Sequence, residues 1–209
     1  MDRRLTADEP ISEWLHALAS TGANPGGGAA AALMAGMAAA LVEMVVAYRK
    51  PHASPEEEIR RRCLEAFSAA MRETAPGMAD QDAAASSGFA AASRQDAESR
   101  SAAMRAASLA AAESSAALGR FAADLVPVLE ELVDDTSTLL LADVGTAAAT
   151  LAASTRAAAL NVGTDLRLSG EDGSGRSDLV DAFDELEATT RDLEAIVDRV
   201  RERVAPSRE

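Results

Sequence analysis

The chain has 209 residues, of which 48% are hydrophobic and only 3% aromatic, and its formal net charge is −14 at pH 7. The length fits one domain, or a domain with an appendage. The acidity argues against a broad nucleic-acid surface or an anionic-membrane surface, both of which need clustered Lys and Arg, but leaves room for a small anionic ligand held by local donors.

The apolar content is mostly alanine, leucine and valine. Alanine has the best helix propensity and lets helices approach closely, but each one buries little area. The expected class is therefore all-α, a bundle of long antiparallel helices, with long helices or a partner subunit needed to bury enough, and an oligomer is expected. Cys63 is the only cysteine, which excludes an intrachain disulfide and fits a reducing cytoplasm. Met1-Asp2-Arg3-Arg4 leads into no apolar stretch, so no signal peptide is expected.

In chain order, Thr6 and Glu9 have the spacing of a capping box. A short amphipathic helix follows over residues 11–20. Residues 21–28 hold one proline and four glycines and read as a break. The next helix covers 28–48. Its apolar run, 29–46, is interrupted only by Glu43 and reads as a buried central helix rather than a membrane span. Ser54-Pro55-Glu56-Glu57-Glu58 is a helix start: a cap residue, proline at the first position, then acids in the first turn.

Pro76-Gly77 is expected to break or kink that helix, with another over 78–93. A long helical stretch over 97–133 should bend at Pro127. Residues 136–141 give no clear signal, and a further helix is expected over 143–162. Residues 170–177 read as a flexible loop. In the last helix, 178–204, Leu179, Phe183, Leu186, Leu193, Val197, Val200 and Val204 fall at alternating three- and four-residue steps, with Thr190 in one slot. That is a heptad seam for the bundle or a partner subunit. The expected organisation is a helical bundle over 1–168, a loop over 169–177 and a C-terminal amphipathic helix over 178–209.

Three consecutive glycines at a helix start leave backbone N–H groups open, beside the positive end of the helix dipole. Asn24-Pro25-Gly26-Gly27-Gly28 therefore suits a carboxylate, a phosphate or a carbonyl oxygen. It lacks the Lys-Ser/Thr of a P-loop. Taken alone, a tight turn between helices explains it as well as binding does. Asp80 and Asp82, two apart, cannot share a helix face. Asp143 reads either as a helix N-cap or as a buried carboxylate with a raised pKa. Asn161 lies in an apolar helix, where an amide needs partners. His16 and His52 have no metal-ligand spacing, and no zinc, nucleophile-elbow or dinucleotide pattern appears.

Two segments together resemble a known family. Pro25-Gly26-Gly27-Gly28-Ala29-Ala30-Ala31-Ala32-Leu33, with Gly36 and Met44-Val45, is similar to the P-G-G-G-[SA]-x-A-A-L…G…M-V stretch of the cyclodeaminase and methenyltetrahydrofolate cyclohydrolase family. Ala142-Asp143-Val144-Gly145-Thr146-Ala147-Ala148, with Ala159-Leu160-Asn161-Val162, resembles its S-D-x-G-V-A-A…L-N-V segment, and Asp80-Gln81-Asp82-Ala83 its D-E-D-A. The resemblance implies a homodimeric helical bundle in the cytoplasm acting on a tetrahydrofolate derivative without a metal, and binding neither nucleic acid nor membrane. The family expels ammonia from 5-formiminotetrahydrofolate or interconverts 5,10-methenyl- and 10-formyltetrahydrofolate.

Carried over by position, Asp82 and Asp143 are the acid–base candidates. Pro25, Gly26, Gly27, Gly28, Asn161, Asp165 and Lys50 are the ligand-binding candidates. The chain departs from the family pattern at Ser86, where an aromatic is usual, and at Asp165, where the family has an asparagine. Lys50 stands alone where the family carries a lysine cluster. These departures motivate a second reading, a non-catalytic or repurposed member that binds a small molecule or a protein.

Overall fold

The computed structural model describes residues 5–21, 25–49, 54–170 and 175–206. A 3-10 turn, Thr6–Asp8, precedes α1 (Ile11–Leu18), α2 (Gly27–Ala47), α3 (Pro55–Ala92), α4 (Ala97–Ala123), α5 (Val126–Asp135), α6 (Thr138–Ser169) and α7 (Ser177–Val204). No strand occurs among the described residues. The all-helical class expected from the alanine content is the class observed.

Helix α2 is the centre of the bundle and packs on α3 and α6. Ala31, Ala32, Ala35, Ala38, Ala39, Val42, Val45 and Val46 are buried along it. Both α2 and α6 are long and apolar enough to cross a membrane, and 56% of the apolar window of α2 and 44% of that of α6 are buried within the chain. The small side chains permit close contact. A Cβ at Gly36 would stand 2.8 Å from the Cβ of Ala75 on α3. The Ser154 hydroxyl donates across to the Ala31 carbonyl at 2.7 Å, inside the core. Close approach of backbones offsets the small area of each alanine through many short-range dispersion contacts.

Helix α3 starts as its sequence dictates. The Ser54 hydroxyl accepts from the Glu57 amide, Pro55 takes the first turn, and Glu56, Glu57 and Glu58 follow. The expected break at Pro76-Gly77 does not occur, because α3 runs 38 residues with Pro76 inside it. An internal proline removes one hydrogen bond and costs about 3 kcal/mol. Met71, Ala75, Ala79 and Ala83 are buried on one face, at successive four-residue steps. That face carries the helix through the proline without a break.

The other sequence boundaries shift for similar reasons. The Thr6 and Glu9 pair forms no capping box; the Thr6 amide and hydroxyl instead donate to Asp80 on α3, the hydroxyl at 2.7 Å. The expected helix over 97–133 is divided at Asp124 and Leu125, and Pro127 lies in the first turn of α5, where its missing N–H goes unmissed. Helix α6 begins at Thr138 rather than Asp143, absorbing the unassigned stretch, and ends at Gly170, whose φ of 73° is the left-handed conformation that favours glycine.

Helix α7 lies along α6 and touches α4. The heptad positions Leu179, Leu186, Leu193 and Val200 are buried, and Ala182 and Ile196 join them. Glycines on the facing helices receive them. A Cβ at Gly145 would lie 2.8 Å from Val200 Cγ1, and one at Gly163 would lie 3.1 Å from Phe183 Cε2. Thr190, the polar slot of the seam, shares a buried 2.9 Å hydrogen bond with Thr155.

Candidate active site

Four helices converge on a cleft at the N-terminal end of α2. Its cavity is about 340 Å³, and its walls carry Gly27 and Gly28, Asp82, Ser86 and Phe89, Ser115, and Asn161 and Asp165. Helical spacing explains each wall. Asp82, Ser86 and Phe89 are separated by four and three residues on α3. Asn161 and Asp165 are one turn apart on α6, and so share a face. Asp80, two residues from Asp82, faces the other way and is taken by Thr6.

Gly26 caps α2 in extended conformation and supplies no side chain. The first amides of a helix have no intrahelical carbonyl. The carboxylate of Asp82, from α3, fills this need by accepting from the Ala29 N–H. Only a glycine at position 28 allows it. A Cβ there would lie 2.8 Å from Asp82 Oδ2 and closer still to Oδ1 and Cγ. The glycine loop thus admits a side chain of its own fold, and the conjunction of helix end and carboxylate forms the floor of the cleft.

Two influences oppose each other at Asp82. Burial raises its pKa, and the Ala29 amide lowers it; burial is the larger, so the net shift is upward. Asp165 is pushed up further, to about 6, by burial first and then by the negative charge of Asp82. Among the described lining residues no lysine or arginine offsets them.

The shift at Asp165 has a consequence for stability. Its folded pKa lies above the unfolded one, so the native state binds the proton more tightly. Stability is therefore favoured at low pH and is lost as pH rises through about 6. Asp165→Asn removes a charge that the fold disfavours. The variant should melt at a higher temperature than the parent at pH 7.5, and the difference should vanish below pH 4, as calorimetry at the two pH values would show.

The residues expected to form the site are only partly brought together. Gly27, Gly28, Asp82, Asn161 and Asp165 meet in the cleft; Pro25 and Gly26 do not line it. Lys50 lies outside the described residues. Asp143 is a correction on two counts. It sits inside α6 rather than capping a helix. It is also eighteen residues before Asn161 on the same helix, about 27 Å away at 1.5 Å per residue, and does not line this cleft.

Phe89 and Ser115 were not anticipated. Phe89 restores an aromatic wall one turn beyond Ser86, and the signal was available in the three-residue step. Ser115 comes from α4, whose sequence carries no motif.

The sequence profile of the formiminotransferase-cyclodeaminase family matches residues 10–173. The chain belongs to the formiminotransferase-cyclodeaminase family. Its structure is similar to that of formiminotetrahydrofolate cyclodeaminase from Thermotoga maritima, with a TM-score of 0.81 over 95% of this chain and 96% of that one, at 24% sequence identity. The fold is thus the cyclodeaminase fold across nearly its whole length. No curated protein matches the chain. The profile spans all four walls of the cleft, so this family member carries its two carboxyl groups within the family's own domain.

Proposed function

We propose that the protein is a folate one-carbon enzyme that expels ammonia from 5-formiminotetrahydrofolate and closes the ring to 5,10-methenyltetrahydrofolate. The observation that carries this reading is the cleft in which the carboxylate of Asp82 meets the start of α2 and Asn161, inside the matched family domain. Ring closure needs a base at the attacking nitrogen and an acid at the departing one. Phe89 offers a flat face to a pterin, and the Asn161 amide offers a donor and an acceptor to its edge. Hydrolysis of the methenyl compound passes through the same tetrahedral carbon and is the alternative outcome at this site.

The working unit is a homodimer in the cytoplasm. An apolar groove supports it, lined by Met34, Met37, Gly145, Val197 and Val204. Leu139 on α6, 87% exposed, supports it too. The lone thiol, Cys63, supports the compartment.

The purified chain should release ammonia from 5-formiminotetrahydrofolate with matching growth of methenyl absorbance, and should sediment as two copies. Hydrolysis of 5,10-methenyltetrahydrofolate without ammonia release would replace the deaminase by the hydrolase. Binding of reduced folate with no turnover of either compound would sink both and leave a binding protein.

A further inference from the structure

Resting on the folate reading, we infer that Ser115 is a ligand-contacting residue, a hydroxyl on α4 that donates to an acceptor atom, a carbonyl oxygen or ring nitrogen, of the heterocycle held in the cleft. The residue is 2% exposed, and it lines the cavity. Among the described residues its hydroxyl has no hydrogen-bond partner. A helical serine often relieves such a need by donating to the carbonyl four residues back. Ser68 and Ser87 on α3 do so, at 2.8 and 3.0 Å. Ser115 does not, although the carbonyl of Ala111 stands four residues back on the same helix.

Ser108 separates a packing role from a binding one. It lies two turns earlier on the same face of α4, and its hydroxyl is unpartnered too. It is sealed in the core, 0% exposed, and does not line the cleft. Ser115 opens what surface it keeps into the cavity. A buried hydroxyl without a partner destabilises the free protein. A ligand atom seated against it removes that deficit, so the free cleft holds an unfilled place for an acceptor.

The other walls decide what kind of atom Ser115 meets. Ionised carboxylates such as Asp82 and Asp165 can only accept. No lysine or arginine stands among the described lining residues, so away from the start of α2 a ligand acceptor is met by neutral side chains. Those able to donate are Ser86, Ser115 and Asn161, from three different helices. Ser86 and Asn161 are half-buried and can exchange a ligand for water. Ser115 is nearly closed to water, so its bond is made by the ligand or not at all. The site therefore favours a flat ring that carries an acceptor on the edge turned to α4, and disfavours one with a methylene there. The carbonyl oxygen and ring nitrogens of a reduced pterin supply such acceptors, with Phe89 against its face.

Ser115→Ala removes the donor and keeps the helix, since alanine is the better helix former. Titration with 5-formyltetrahydrofolate, a stable reduced folate, should give a Kd about 3–10-fold above the parent's. In the ammonia-release assay KM should rise by the same factor with kcat unchanged, the mark of a bond made equally before and during the reaction. The melting temperature of the free variant should rise, because an unpaired buried hydroxyl is gone; a structural role would lower it. Access is read separately. In a Cys63→Ser background, Ser115→Cys should react with methyl methanethiosulfonate and be protected by the same folate, whereas Ser108→Cys should stay inert. Parent-like Kd and KM in Ser115→Ala overturn the contact, and so does an inert Ser115→Cys. A reactive Ser115→Cys in a chain that binds no reduced folate overturns the folate reading while keeping the hydroxyl open to the cleft, so the two failures are distinct.

Discussion

Gly28→Ala should cost the protein its activity while leaving it helical. The added methyl would fall on the carboxylate of Asp82, nearer than 3 Å to all three of its terminal atoms. The backbone at neither position can yield cheaply, so the carboxylate of Asp82 is what moves first. Position 28 is fixed by the first turn of α2, and Asp82 is fixed on α3 by a buried neighbour, Ala83. The carboxylate must swing away or the helices must part. A reacting group misplaced by about 1 Å costs on the order of 100-fold in rate, and overpacking at such a site costs about 1–3 kcal/mol of stability. Turnover should therefore fall at least about 100-fold, with the far-ultraviolet circular dichroism unchanged at 25 °C and the midpoint of urea unfolding lowered. A variant as active as the parent would show that the contact between Gly28 and Asp82 has no part in the chemistry.

Asp82→Asn separates charge from shape. The amide oxygen can still accept from the Ala29 N–H, so the end of α2 stays capped. What is lost is the base, and the expected fall in kcat is about 10²–10⁴-fold. Stability should move the other way. Burial holds the Asp82 pKa above its ordinary value, so the native state disfavours the charge at neutral pH, and removing it should raise the melting temperature at pH 7.5. Loss of rate with gain of stability is the signature of a group kept for chemistry. Loss of both would mark Asp82 as a structural cap alone.

Much of the architecture could be read from the chain because it depends on local signals. Ser54-Pro55 with its three glutamates fixed one helix start, and the heptad positions of α7 named the face that is buried. The errors arose where long-range packing outweighed local preference. Pro76 should interrupt a helix, yet the buried face from Met71 to Ala83 carries α3 through it.

The site was half legible. Gly28, Asp82, Asn161 and Asp165 lie in segments with recognisable spacing. Asp143 lies in an equally recognisable segment, but spacing along a sequence does not reveal that eighteen helical residues separate it from the cleft. Ser115 sits in an alanine-serine stretch whose composition is uniform, so only the packing of α4 on α6 singles it out. The approach of Asp82 to the start of α2 joins residues 54 apart, a relation that no local pattern encodes.

The contacts between α6 and α7 have one more implication. Gly145 meets Val200, Thr155 meets Thr190, and Gly163 meets Phe183. Steps of ten and eight residues along α6 are met by steps of ten and seven back along α7, so the three contacts act like teeth of a ratchet cut at a single setting. A slide of one turn would break the Thr155–Thr190 hydrogen bond and carry Val200 and Phe183 off the glycines that admit them. Asn161 and Asp165 flank the last tooth, two residues to either side of Gly163, and project from the reverse side of the helix. Their aim into the cleft is thus set from behind, by a seam that no substrate touches, and a repacked Phe183 would detune the chemistry without ever meeting it.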